Sequence, residues 1–202
     1  MGKLGGSAVI GYTRRVRVTG EEGGAPPWSA KRSRRSPGHP LNGGACMSDP
    51  TDIYNWRRLD SRVTTSGQPT EEQLAELSRL GIGHVINLGL HTHEKALPDE
   101  AASLARLGLT YIHIPVDFDR PTEEDFNKFC DAMAKLESRP VHVHCIANMR
   151  VSAFLYRWQR EALGHNDAQA RALMDTVWQP GGVWASFIGD DASSSLSHRL
   201  PK

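Results

Sequence analysis

Beyond residue 70 the hydrophobic positions change period several times, and each change marks an element. Thr70-Glu71-Glu72-Gln73 has the pattern of a capping box, the threonine hydroxyl taking an orphan helix N–H while the glutamine reaches back. Leu74, Leu77 and Leu80 follow at helical spacing, and Gly81 stands where a helix ends. Val85-Ile86-Asn87-Leu88 predicts a short buried strand. A second helix is expected from about Asp99 to Leu107, stopped by Gly108. The β-branched run from Thr110 to Val116 predicts a strand. Thr122 opens a third helix whose first turn is acidic, where the helix dipole favours negative charge, and Phe126, Phe129, Cys130, Met133 and Leu136 form its apolar face. Residues 140–144 predict a further strand and Met149 to about Leu163 a further helix. A last clear helix, capped by Asn166 or Asp167, ends near Trp178.

Regular alternation of helix and strand predicts an α/β fold: a central, mostly parallel sheet with helices on both faces. Ligands of such sheets bind at the carboxyl ends of the strands, here just after Leu88, Val116 and His144.

Charge divides the chain near residue 47. Residues 1–46 hold eight Lys or Arg against two acids and ten of the 19 glycines, with no useful periodicity. Such a stretch cannot bury enough apolar surface to order itself, so a disordered basic extension is expected. The run Lys31-Arg32-Ser33-Arg34-Arg35 also suits a localisation or anion-binding patch, and an Arg-rich leader suits a transit peptide. Ordinary globular composition begins at Met47, which is a candidate alternative start. Residues 47–189 are expected to form the catalytic domain and 190–202, with Ser193-Ser194-Ser195, a disordered tail. The overall charge of +1 gives no field favouring nucleic acid or membrane partners, and no apolar run approaches the roughly 18–20 residues that span a bilayer. Three cysteines without metal spacing fit free thiols in a reducing compartment, so a cytoplasmic location is expected, with no metal and no cofactor.

One stretch carries chemistry: His144-Cys145-Ile146-Ala147-Asn148-Met149-Arg150-Val151-Ser152, at a strand-to-helix turn. A cysteine facing a helix N-terminus feels the positive dipole end and free backbone N–H groups, which favour its thiolate; a nearby arginine adds to this. The same N–H groups suit a tetrahedral oxyanion, and Arg150 offers a planar bidentate donor. Cys145 is the candidate nucleophile, and residues 146–150 the candidate anion-binding loop.

The chain here resembles the protein tyrosine phosphatase superfamily, in particular its compact dual-specificity-like bacterial members. Three segments carry the resemblance: His144-Cys145 with Arg150, Ile114-Pro115-Val116-Asp117, and Thr65-Ser66-Gly67-Gln68-Pro69-Thr70. It covers roughly residues 54–188 and implies a phosphatase-like fold hydrolysing phosphomonoesters through a thiophosphate on Cys145. The substrate would be a phosphorylated protein or a small phosphoester. Arg150 would bind phosphate and stabilise the transition state, Asp117 would be general acid with Asp119 its rival, Ser152 would support the thiolate, and His144 would shape the loop and tune Cys145.

Only four residues separate Cys145 from Arg150, where the superfamily places five, and Asn148 stands where it usually has glycine. Asparagine tolerates the left-handed conformation best after glycine. Four intervening residues also match the active loop of rhodanese-type sulfurtransferases, which would carry a persulfide on Cys145. A phospho-binding pseudophosphatase is a third reading. His91, His93 and Glu94 are expected in a polar substrate-facing loop, Cys130 in the core, and Trp178, Trp184 and Phe187 as a seal on the core's C-terminal end.

Overall fold

A computed structural model describes residues 48–201. The extension, the alternative start at Met47 and Cys46 all lie outside the described residues.

Five strands, β1 (Arg57–Arg58), β2 (Val63–Ser66), β3 (His84–Asn87), β4 (Thr110–His113) and β5 (Val141–His144), form one sheet in the order β1-β2-β5-β3-β4. Only β1 is antiparallel to its neighbour; β2, β5, β3 and β4 run parallel. The helices are α1 (Glu71–Arg79), α2 (Glu100–Arg106), α3 (Glu123–Lys135), α4 (Met149–Glu161), α5 (Asp167–Asp175) and α6 (Gly182–Phe187). No helix among the described residues is long and apolar enough to cross a membrane.

Side chains alternate across a strand, and this sorts the core into two layers. Ile86 of β3 and Val141 and Val143 of β5 join the larger cluster, with Phe126 and Phe129 of α3, Phe154 of α4, Trp178 and Trp184. Val85 of β3 points the other way, to Ile53, Leu74, Leu77, Leu104 and Leu109 around α1 and α2. The expected α/β sheet with helices on both faces is therefore present. His142 and His144 alternate with the valines of β5 and are fully buried.

The hairpin β1–β2 was not apparent from the pattern of apolar residues. Three of the four β2 residues are polar, yet all are buried. Their hydroxyls find partners: Thr64 Oγ1 lies 3.0 Å from His142 Nδ1, and Ser66 Oγ 3.0 Å from His142 Nε2. Ser66 donates its own hydrogen to Gly67 O, so it accepts from His142 Nε2–H, and Thr64 donates to Nδ1. Burial pushes His142 well below its ordinary value, in keeping with this neutral, doubly bonded ring under Trp56.

The segment after Asp190, expected to be a disordered tail, instead packs on the domain. Gln179 and Arg199 exchange backbone hydrogen bonds, Gly182 N–H donates to Leu196 O, and the His198 ring meets Phe118 and Trp178. The signal that misled was the serine run; the anchors lie beyond it. Trp178, Trp184 and Phe187 do seal the larger core, as expected, and α6 is the short helix that carries two of them.

Candidate active site

The loop after β5 is held by asparagines at two left-handed positions. Asn148, the N-cap of α4, has φ 65° and Asn55 has φ 53°. Asn148 Nδ2 donates to Asn55 O (2.8 Å) and Thr65 Oγ1 (2.9 Å), and Asn55 Nδ2 returns a bond to Ala147 O (3.1 Å). Gln68 N–H donates to Ile146 O. Two glycines allow the close approach of neighbouring chains. A Cβ on Gly67 would meet Ile146 O at 2.8 Å, and one on Gly89 would meet Asn87 Oδ1 at 2.9 Å and lie 3.7 Å from Cys145 Cα.

The first N–H groups of a helix have no acceptor within it. In α4 the Asn148 side chain makes no cap, being turned to Asn55 and Thr65. The N–H groups of the first turn, Met149 to Val151, are thus left without a side-chain cap, at the positive end of a 13-residue helix. Cys145 sits before this turn, at 1% exposure.

Arg150 is buried at 7% exposure, with no ion pair among the described residues and no partner for its Nε. Its guanidinium carbon lies 5.2 Å from the centre of the Phe118 ring, a cation–π contact. Phe118 is clamped in turn, its carbonyl accepting the Trp184 indole N–H at 2.7 Å and its ring packed on Trp178 and Trp184. The loop after β4 is therefore pinned over the arginine by the residue between the two candidate acids.

Those acids are not themselves drawn in. Asp117 is half-exposed; Oδ1 accepts from Asp119 N–H at 3.0 Å, and Oδ2 lies 3.8 Å from the exposed Arg120. Asp119 is exposed, and its carboxylate makes no hydrogen bond among the described residues. Ser152 departs from expectation. Its hydroxyl donates to Met149 O (3.0 Å) and accepts from Trp178 Nε1 (3.1 Å), so its one hydrogen is committed to a loop carbonyl. It braces the loop and makes no thiolate bond in this state.

His144 Nε2 lies 2.9 Å from Glu100 Oε1, both almost fully buried. Nothing in the sequence marks a buried carboxylate at Glu100. His91 stacks on His113, ring centres 3.7 Å apart, at the same sheet edge, and His113 Nε2 bonds to Gly89 O at 2.8 Å. Burial holds His113 below its ordinary value, the neighbouring His91 adding to this and the bond to Gly89 opposing it. Beside the loop, a cleft of about 330 Å³ is lined by Tyr54, Gln68, Pro69, Thr70, Lys95, Leu97 and Ile146. Cys130 is only half-buried, and burial raises its thiol to about 11.

A parallel sheet whose carboxyl edge carries a buried cysteine, an open helix N-terminus and a buried arginine defines a protein tyrosine phosphatase-like molecule. Residues 48–181 match the family described as "DSP-PTPase phosphatase fused to NAD+ Kinase", and the chain belongs to it, within the protein tyrosine phosphatase superfamily. The chain is similar to a "Putative phosphatase" from Shewanella putrefaciens CN-32: 32% identity, TM-score 0.60, 71% of this chain and 95% of that one covered. P. aeruginosa TpbA, solved in complex with pTyr, shares the fold at 20% identity and TM-score 0.52, over 64% of this chain and 76% of that one. A "Beta-lactamase hydrolase-like protein" of Xylella fastidiosa (strain Temecula1) is 32% identical over 120 residues, 53% of this chain. The chain spans only 28% of that relative's length.

Proposed function

We propose that this protein is a cysteine-dependent phosphatase of phosphomonoesters, with Cys145 as nucleophile. One observation carries the reading: the cation of Arg150 is buried without a carboxylate partner, beside an uncapped helix N-terminus and a buried cysteine. A lone buried charge is costly, and a dianionic phosphoryl group is the ligand that both features fit. The matched family lies with phosphatases, which favours phosphate over the persulfide of a sulfurtransferase.

In this mechanism the Cys145 thiolate attacks phosphorus while the backbone N–H groups of residues 146–150 and the Arg150 guanidinium take the charge on the equatorial oxygens. The ester P–O bond breaks, and the leaving oxygen takes the proton of Asp117, carried by the loop that Phe118 pins over Arg150. Asp117 then removes a proton from water, which displaces the sulfur, giving inorganic phosphate and the thiolate again. Asp119 is the alternative acid on the same loop. Ile146, Ala147, Asn148 and Met149 shape the cradle and Ser152 braces it. The cleft beside Ile146 would take the organic part of the ester. Phosphotyrosine, phosphoserine and phosphothreonine are all candidates.

The test is hydrolysis of an aryl phosphate by wild type and Cys145→Ser. Wild-type turnover inhibited by vanadate, and a loss of at least about a thousandfold in the variant, are expected. Equal rates would end the reading. Binding of a phosphopeptide without turnover would mark a pseudophosphatase, and thiocyanate formation from thiosulfate and cyanide would mark the sulfurtransferase.

A further inference from the structure

Residues 117–121 join β4 to the cap of α3, and the proposed chemistry draws its acid from them. Their own bonds are local. Asp119 N–H donates to Asp117 Oδ1, Arg120 N–H donates to Asp117 O, and the Arg120 side chain pairs with Asp117. Among the described residues, every other hydrogen bond, ion pair or ring contact of this loop is made by Phe118. Where the acid stands therefore depends on what holds one residue.

Part of that hold comes from the core. Trp184 donates its indole N–H to Phe118 O at 2.7 Å, and the Trp184 and Trp178 rings lie 5.4 and 5.9 Å from the Phe118 ring, centre to centre. The rest comes from His198, far along the chain. Its ring is 6.2 Å from Phe118 at an interplanar angle of 82°, and 5.6 Å from Trp178 at 64°. Both are the edge-on arrangement that aromatic rings favour, the positive rim of one against the face of the other.

His198 is exposed, so burial does not fix its place; the backbone around it does. Gln179 N–H donates to Arg199 O at 2.8 Å, Arg199 N–H returns a bond to Gln179 O at 2.9 Å, and Gly182 N–H donates to Leu196 O at 2.9 Å. Between these bonds Gly181 lies flat against the passing chain. A Cβ there would run into Leu196 O and lie 2.7 Å from His198 N. Those neighbours are backbone atoms and cannot swing aside as a side-chain tip would. A bare glycine and flanking backbone bonds thus seat residues 196–199 across the start of α6, with the His198 ring against Phe118.

We propose that residues 196–199 form a strap that fixes the acid-bearing loop over Arg150, with His198 a positioning residue that acts through Phe118. The catalytic consequence rests on the phosphatase reading above; the hold on the loop does not.

A misplaced acid costs most where the leaving oxygen is most basic, so the test compares phenyl phosphate with 4-nitrophenyl phosphate. In the full chain, His198→Ala should lower kcat on phenyl phosphate about fivefold and on 4-nitrophenyl phosphate by less than about twofold. His198→Phe keeps an aromatic edge and should restore most of the loss. Gly181→Ala, which pushes the strap off by its backbone, should reproduce the contrast; should it not fold, His198→Ala alone decides. A merely structural loss would slow both substrates alike, and that result, or no change in either, would overturn the proposal. Hydrogen exchange on the peptide holding residues 116–121, read by mass spectrometry, needs no turnover. It should quicken by about threefold or more in His198→Ala, and unaltered exchange would also overturn the proposal. Faster exchange in a protein that hydrolyses no phosphoester would sink the phosphatase reading and leave the strap standing. Hydrolysis with neither the substrate contrast nor the exchange altered would do the reverse.

Discussion

The N-termini of α1, α3 and α5 are closed in one manner, and that of α4 in another. Thr70, Thr122 and Asn166 each accept the N–H three residues on, while Gln73, Asp125 and Gln169 reach back to the cap residue. Each such cap contributes about 1 kcal/mol and satisfies the donors that an anion would otherwise seek. At α4 the cap residue is left-handed and its amide is turned away from the helix to Asn55 and Thr65. The loop is held as firmly, but from behind, and the helix donors stay open toward Cys145 and Arg150. The contrast teaches that a binding terminus is not a missing cap. It is an equal set of bonds moved to the far side of the loop.

Substitutions at three positions probe that contrast, and the largest effect is expected at Arg150. Arg150→Leu should lower phosphoester turnover by about 10²–10³-fold, the cost of losing one donor to developing charge. The urea midpoint should hold or rise, because an apolar chain replaces a buried cation without a partner. Unchanged turnover would remove Arg150 from the cradle. Asn148→Ala should destabilise by about 2–3 kcal/mol, from two lost hydrogen bonds of roughly 1 kcal/mol each and a strained left-handed backbone. Asn148→Gly, which tolerates that backbone, should cost about 1 kcal/mol less. Equal losses in the two variants, by denaturant titration, would show that the backbone conformation is not the issue. Smallest of all, Thr122→Ala should cost about 1 kcal/mol of stability and leave turnover unaltered. A change in turnover there would mean that the closed termini also reach the chemistry.

The capped elements were legible in the chain because their signals are local. Thr70 closes the box that was expected, Thr122 caps the helix expected to start there, Asn166 is the one of two candidate caps that does so, and the apolar faces of α1 and α3 follow at helical spacing. The loop was legible for the same reason, since cysteine, strand and helix adjoin. What escaped was bonded across the fold. The strand at Thr64-Thr65-Ser66 is polar in composition and buried because His142 and Asn148 meet its hydroxyls some 80 residues later. Glu100 looks like any first-turn helix acid, and only the sheet brings Asn87 and His144 to it. Asn55 gives no signal at all until its partner at 148 is in place. Asp117 followed from the resemblance alone, and its half-exposed carboxylate accepts from its own turn through Asp119 N–H.

The clasp between Asn55 and Asn148 also exposes the protein to chemical ageing. Side-chain amides hydrolyse slowly to carboxylates, and here the Asn55 amide donates to Ala147 O and the Asn148 amide to Asn55 O and Thr65 Oγ1. Deamidation at 148 would set oxygen against oxygen in a buried space. It would also place a negative charge directly under a terminus shaped for an anion. If the loop binds phosphate as proposed, a stored sample would lose that affinity while its cysteine remains fully reduced.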